Sequence, residues 1–165
     1  MLIETTAENA LEMSISAVKI LTSKDYTGII LSASRPCKNL LDIYNNSKID
    51  TKKVVVLCAV CRSQGVDAED SSNVLHLERL SALTQISISI NEAINRIKGD
   101  KFLFIDSVTT MLIHNQPNTF AMFIHTVLTK MRVNGVDGYL ISLETETNKE
   151  VRAEIAQLCD KVVKV

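Results

Sequence analysis

Glycine is scarce in this chain of 165 residues, which contains five. None of them precedes a Lys-Ser or Lys-Thr pair; they are Gly28, Gly65, Gly99, Gly135 and Gly138. A GxxxxGK[ST] phosphate loop depends on glycine, because its backbone turns tightly and its N–H groups must approach the phosphates. The sequence therefore lacks the loop by which many nucleotide hydrolases bind their substrate.

The chain has neither an excess of one charge nor a long hydrophobic run. Its 18 basic and 19 acidic residues give a formal net charge of -1, so nothing indicates nucleic acid or an anionic membrane as a partner. No apolar stretch approaches the length of a membrane span, and residues 1–21 lack the basic start and continuous apolar core of a secretory signal. We therefore expect a soluble, cytoplasmic protein.

The four cysteines, Cys37, Cys58, Cys61 and Cys159, lie within or beside apolar segments, so we expect reduced and mostly buried thiols. Cys58 and Cys61 form a C-x-x-C motif, which carries chemistry in redox and zinc proteins. Residues three apart on a strand point to opposite faces unless the strand ends between them. No second such motif is present, and Cys37, His76 and Cys159 are distant in sequence. We predict no metal or cofactor, with Cys58 and Cys61 as weak candidates for a metal site.

Apolar runs and helical periods alternate along the whole chain, without a linker-like stretch or a repeat. This alternation predicts a single domain, residues 1–165, of the α/β class, with helices on both faces of a mostly parallel sheet. Thr5 and Glu8 match a capping box and predict the start of the first helix. Strands are predicted at 28–34, 53–60, 74–77, from 101, at 138–144 and at 161–165. Further helices are predicted from Pro36, at about 80–98, at 119–132 and from about 151.

The run KFLFID ends at Asp106 and is followed by Ser107. It is typical of a buried parallel strand whose acid emerges at the carboxyl edge of the sheet, where α/β proteins bind ligands. In nucleotide hydrolases such an acid helps to hold magnesium beside the phosphates. Because the glycine loop is missing, we expect Asp106 to cap a turn, pair with a basic residue or accept backbone donors. Ser107 is expected to satisfy local backbone groups.

Two polar segments have no assigned role. The acidic stretch that contains Asp67, Glu69 and Asp70 is predicted to be a solvated loop. His114 lies in a predicted loop and is free to bind a ligand, although no nucleophile or carboxylate stands at a telling distance in the sequence.

Four segments, in their order and spacing, resemble the RecA-like ATPases and specifically their archaeal and cyanobacterial KaiC-like branch. GIILSASRPCKNLLDIY resembles the second core strand and helix of that family, and FLFIDSVTTM resembles its Walker B strand. GVDGYLISLE resembles the next strand, and AQLCDKVVKV resembles the closing helix and strand. The resemblance implies a three-layer α-β-α, RecA-like P-loop NTPase topology from which the P-loop is missing.

The departures from the family bear on function. In active members a strand, the glycine loop and a helix open the domain, whereas here MLIETT joins AENALE directly. The family usually carries an acidic pair after its second strand, one member of which activates the attacking water. Those positions align with Ser34 and Arg35. The resemblance therefore implies a degenerate domain without catalytic residues, since both the phosphate cradle and the general base are absent.

We expect such a domain to be a regulatory or protein-interaction module in signal transduction that binds a protein partner or self-associates, as a homodimer for example. Two alternatives stay open. One is a residual nucleotide-binding protein or NTPase that uses Asp106, with Ser107, Ser34 and Arg35 beside it. The other is a metal or thiol redox protein that uses Cys58 and Cys61.

Overall fold

Strands and helices alternate along the chain, as the apolar pattern predicts. The computed structural model describes residues 1–65, 69–144 and 148–165. Within these ranges the strands are β1 (Leu2–Thr5), β2 (Thr27–Ser32), β3 (Val54–Cys58), β4 (Val74–His76), β5 (Lys101–Asp106), β6 (Asp137–Leu143) and β7 (Val162–Lys164). The α-helices are α1 (Ala10–Ser23), α2 (Cys37–Asn46), α3 (Leu83–Arg96), α4 (Val108–Ile113), α5 (Pro117–Val133) and α6 (Lys149–Leu158).

The strands form one sheet in the order β4-β3-β2-β5-β6-β1-β7, and the pairs between neighbours are parallel. The short strand β1 lies inside the sheet, because it pairs with β6 on one side and with β7 on the other. The opening residues of the chain therefore form a true strand in the sheet.

Helices cover both faces of the sheet, and each face has its own apolar core. On one face α1 and α2 contribute Val18, Leu40 and Tyr44, which pack with Ile30 and Phe104 of the strands. On the other face, side chains from α3, α4, α5 and α6 pack against the alternate strand residues. Because strand side chains alternate between faces, a fully apolar strand is covered on both sides, and the three-layer α-β-α prediction is confirmed.

Two local predictions differ from the structure. The capping box is wrong: Thr5 is the last residue of β1, and α1 begins at Ala10 after Asn9, which makes no side-chain cap. The short helix α4 directly follows β5 and was not predicted, because Val108 to Ile113 gives too few turns for a helical period to be visible. Its cap is the Ser107 hydroxyl, which accepts a hydrogen bond from the Thr110 amide at 3.2 Å.

Part of the predicted acidic loop, including Asp67, lies outside the described residues. No helix in the part of the chain that the structure describes combines the length and apolar character that a membrane span requires.

Candidate functional site

Polar side chains line up across the carboxyl edge of the sheet. In the register of the strands, His76 of β4 pairs with Cys58 of β3, Cys58 pairs with Ser32 of β2, and Ser32 pairs with Asp106 of β5. Aligned residues of parallel strands share a face, and here it is the face covered by α1 and α2. The edge where α/β proteins bind ligands thus carries a row of three buried polar residues and one buried thiol.

Asp106, at one end of the row, is engaged by the loop that follows β2. The Arg35 guanidinium lies 3.4 Å from its Oδ2 atom, and the Ser34 hydroxyl lies 3.4 Å from its Oδ1 atom. The Ser32 hydroxyl donates to the Arg35 carbonyl at 2.7 Å and so holds this loop. Ser34 and Arg35 therefore both contact the acid that ends β5.

Burial raises the pKa of the Asp106 carboxyl above its usual range, while Arg35 and Ser34 lower it in part. The same environment affects Tyr44, whose pKa is raised by burial and then by the charge of Asp106. Ionising the buried Asp106 carboxyl therefore costs free energy, and among the described residues Arg35 is its one cationic partner. This arrangement differs from that of an exposed metal ligand.

The connection from β1 to α1 consists of residues 6–9, which are Thr-Ala-Glu-Asn. Within it, Asn9 N–H donates to Thr6 Oγ1 at 3.4 Å, and the N–H of Ala10, the first residue of α1, donates to the Thr6 carbonyl at 3.1 Å. The neighbouring Thr5 carbonyl accepts the Glu144 amide at 2.9 Å. This four-residue turn contains no glycine.

At the other end of the row the structure brings together a group that we call the cysteine–histidine cluster, formed by Cys37, Cys58, Cys61 and His76. Their sulfur and nitrogen atoms all lie within 4.8 Å of one another. Cys61 Sγ is 3.2 Å from Cys58 Sγ and 3.7 Å from Cys37 Sγ, and Cys37 Sγ is 3.2 Å from His76 Nε2. Three of the four side chains are buried, and Cys37 is half-buried.

Three chain segments position the cluster. β3 ends at Cys58, and the chain then turns through a short 3-10 turn, Arg62–Gln64, which Gly65 ends with φ of +71°. Cys37 is the first residue of α2, after Pro36, and His76 is the last residue of β4. Because the strand ends at Cys58, the two cysteines of the motif are free to point to the same side.

The thiols differ in acidity. Burial, followed by hydrogen bonding and repulsion from the neighbouring thiols, raises the pKa of Cys37 to about 12, and burial also raises the pKa of Cys61. Burial alone would raise the pKa of Cys58 as well. This effect is outweighed by hydrogen bonds with the Cys61 side chain and with the backbone of Cys61, Val60 and Cys37, so the pKa of Cys58 is lowered. Backbone donors thus converge on the Cys58 sulfur.

His76 has a carboxylate behind it. Its Nδ1 lies 3.2 Å from Asp70 Oδ1, and its backbone N–H donates to the same oxygen at 2.8 Å. Arg62 Nη2 lies 3.7 Å from the same oxygen of Asp70. These hydrogen bonds, with that of the His76 backbone contributing most, lower the pKa of Asp70. Asp70 is exposed, as the predicted solvated loop requires, and it also orients the ring whose Nε2 faces the cysteines.

His114 lies elsewhere, in a cleft of about 720 Å³ between the start of α3 and the connection from α4 to α5. The cleft is lined mainly by hydroxyl and amide side chains, and its Asn115 amide is already used by the backbone carbonyls of Leu80 and Met111. No cysteine or carboxylate is among the residues that line it. It therefore offers no thiol or carboxylate to act with His114.

The sequence placed Cys58 and Cys61 together but left Cys37 and His76 outside the site, because they are 21 and 15 residues away from the motif. A usable signal was present: Cys37 follows β2, and His76 ends the strand after β3. Residues that follow neighbouring parallel strands meet at one edge. Strand order, which a single sequence does not give, was needed to see that these three ends are adjacent.

Solved structures of similar fold come from archaea. An uncharacterized protein from Pyrococcus horikoshii, PH0321, crystallised in complex with an unknown peptide, aligns with a TM-score of 0.75 and 15% identity over 99% of this chain and 75% of its own. A KaiC-like protein of P. horikoshii OT3, PH0186, aligns with a TM-score of 0.68 and 12% identity over 99% of this chain and 69% of its own. The fold is therefore the RecA-like α/β fold of KaiC-like proteins.

By sequence, residues 17–165 match the model of a family of unknown function, DUF7504, and the chain belongs to that family. No curated protein matches the chain.

Proposed function

We propose that this protein is a non-catalytic domain of the KaiC/RecA-like fold that acts as a regulatory or protein-interaction module. The observation that carries the proposal is the four-residue connection between β1 and α1, residues 6–9, at the place where the family binds phosphate. A triphosphate needs several converging backbone N–H groups and a lysine, and this turn has neither the length nor the glycines to supply them.

The state of Asp106 supports the same proposal. A Walker B-type acid acts by holding a magnesium ion beside phosphate, and its charge is balanced by that ion. Here the Arg35 guanidinium supplies the balancing charge from within the chain, at 3.4 Å. A bound magnesium ion would have to displace an existing ion pair without the help of a nucleotide.

An exposed apolar surface on the other side of the sheet supports an interaction role. Ile113 is 74% exposed, Met122 is 71% exposed and Ile88 is 53% exposed. Ile88 and Met122 line one shallow cleft between α3 and α5. Large exposed apolar side chains that lie together are typical of protein-binding surfaces. We propose this α3–α5 surface, defined by Ile88 and Met122, as the face that binds a partner or a second copy of the chain.

The peptide in the PH0321 crystal agrees with this proposal by analogy, since a protein of the same fold was solved with a peptide bound. The signalling role implied by the resemblance to KaiC-like proteins is part of the proposal as well.

Nucleotide titration tests the proposal. Thermal unfolding and calorimetry with Mg-ATP and Mg-GTP should show no stabilisation and no binding heat. By comparison, a ligand present at 100 times its Kd would stabilise the fold by about 2.7 kcal/mol. A magnesium-dependent shift that disappears in Asp106→Asn would contradict the proposal and favour the residual nucleotide binder.

A further inference from the structure

We propose that the cysteine–histidine cluster binds one Zn²⁺ ion as a closed structural site. Its donor set is three sulfurs and one imidazole nitrogen, one of the combinations that structural zinc sites use. The ligand atoms come from three separate segments: the start of α2, the turn after β3 and the end of β4. Zinc bound there is compatible with either outcome of the nucleotide titration.

The spacing of the donor atoms fits a zinc ion. With Zn–S bonds of about 2.3 Å and Zn–N bonds of about 2.0 Å, neighbouring ligand atoms of a tetrahedral site stand about 3.5–3.8 Å apart. In the cluster the measured separations are 3.2, 3.2 and 3.7 Å, and every pair lies within 4.8 Å. Small rotations of the side chains are enough to place all four atoms around one ion.

The surroundings of the ligands are those of a metal site. Asp70 accepts from Nδ1 of His76 when that nitrogen carries the ring proton, and this leaves the lone pair of Nε2 facing the sulfurs. A carboxylate behind a ligating histidine is a usual feature of zinc sites.

The same geometry disfavours a thiol redox site. A reactive thiol must be reached by its substrate, but Cys58 has no solvent exposure and Cys61 is buried as well. A Cys58–Cys61 disulfide would also leave Cys37 and His76 facing each other with no role. The four ligands fill a tetrahedral shell and leave no position for a substrate or water, so the site is structural and not catalytic.

Zinc at this position would fix the loop that contacts Asp106. Cys37 is two residues from Arg35, and the ion would tie this part of the chain to the ends of β3 and β4. Binding replaces the three thiol protons by the metal, and the protons go to solvent. The expected result is a chain whose thermal stability depends on the free zinc concentration.

Metal analysis of the full chain tests the proposal. The untagged protein, purified anaerobically without chelator, should contain about one zinc per chain by inductively coupled plasma mass spectrometry, as a single closed site requires. Cys58→Ser should contain almost none. Cys159→Ser is the control, since Cys159 is a free, half-buried thiol that lies outside the cluster, and this variant should keep its zinc.

Because Cys58 is fully buried, its serine variant can lose zinc merely by unfolding. Two further variants distinguish the loss of a zinc ligand from the loss of the fold. His76→Cys supplies a sulfur at the fourth position and should retain zinc in full. Asp70→Asn removes the carboxylate behind the histidine and should keep one zinc at saturation, with affinity lowered about 10- to 100-fold. Circular dichroism must show that both variants remain folded.

Reconstitution of the wild-type chain provides an independent readout. Metal-free, reduced protein titrated with Co²⁺ should develop the visible absorption of a tetrahedral cobalt thiolate, and Zn²⁺ should abolish that absorption at one equivalent. The proposal is overturned if the reduced chain binds neither ion, if Cys159→Ser loses as much zinc as Cys58→Ser, or if the anaerobically purified protein carries a Cys58–Cys61 disulfide.

Discussion

Arg35→Ala probes the ion pair at the centre of the proposed function. In the structure Arg35 balances the buried carboxylate of Asp106 across 3.4 Å, with the Ser34 hydroxyl as a second side-chain partner. If the ion pair has replaced magnesium, removing the guanidinium must leave an uncompensated buried charge. We therefore expect Arg35→Ala to unfold more easily at pH 7, with or without Mg²⁺ and nucleotide.

The size of the effect follows from burial and distance. Removing one partner of a fully buried pair costs about 3–5 kcal/mol. Here the Arg35 side chain is 29% exposed, and its 3.4 Å contact with Asp106 is longer than that of an ideal charged hydrogen bond, so solvent already weakens the pair. We expect a loss of about 2 kcal/mol in the free energy of unfolding, which for a chain of this length lowers Tm by about 4–8 °C.

The loss should depend on pH in a defined direction. Burial already raises the pKa of Asp106, and removing Arg35 raises it further, because the cation favours the ionised form. A raised pKa means that ionising Asp106 costs more free energy in the folded state than in the unfolded state. The folded state is therefore destabilised at a pH above the folded-state pKa of Asp106, and this destabilisation disappears below its unfolded-state pKa of about 4. The difference between wild type and Arg35→Ala should therefore be largest near pH 7 and small near pH 4.

Urea unfolding at pH 7 and pH 4.5 measures both effects, with Asp106→Asn added to the Arg35→Ala background. The double variant should recover most of the lost stability at pH 7, because it removes the unpaired charge. Arg132→Ala is a control for a surface ion pair and should cost less than about 1 kcal/mol, since its partner Asp160 is 83% exposed. A loss in Arg35→Ala that is unchanged at pH 4.5, or not rescued by the second substitution, would refute the reasoning.

Two further predictions concern packing and assembly. A Cβ atom at Gly28 would lie 2.7 Å from the buried ring of Phe102, whereas a Cβ atom at Gly138 would meet the flexible end of Met131. Gly28→Ala should therefore lower the free energy of unfolding in urea by about 1–3 kcal/mol, and Gly138→Ala should lower it clearly less. Equal losses in the two variants would contradict this reasoning. If the chain self-associates through the α3–α5 surface, the double substitution Ile88→Asp with Met122→Asp should shift it towards monomer in light scattering. Ile20 on α1 is also exposed but lies outside this surface, so Ile20→Asp should leave the association unchanged. An unchanged dimer in the double variant would exclude the α3–α5 surface as the interface.

Much of the fold could be predicted from local pattern. Apolar runs such as VVVLC and FLF mark strands buried on both faces, and their positions agree with β3 and β5 to within one or two residues. Element ends were less predictable, since the boundary of α1 depends on how Thr5 pairs within the sheet and not on the capping box that the sequence suggests. Short elements such as α4 carry too little periodicity to be recognised.

The two ends of the polar row differed in how far the sequence could indicate them. Asp106 was visible because a strand followed by an acid is a local pattern, and a basic partner was among the expected roles. The cysteine–histidine cluster was only half visible, as the C-x-x-C motif, because its other two ligands come from different strand connections.

The sequence by itself determined the buried faces of the longer strands and helices, since the period of their apolar residues fixes those faces. The sequence also showed that the chain contains no GxxxxGK[ST] loop. Tertiary structure alone decided which strand ends are neighbours, because parallel pairing between β2, β3, β4 and β5 depends on packing between distant segments. That order places His76, Cys58, Ser32 and Asp106 in one row, and it creates both the cluster and the ion pair from residues that are far apart in the chain.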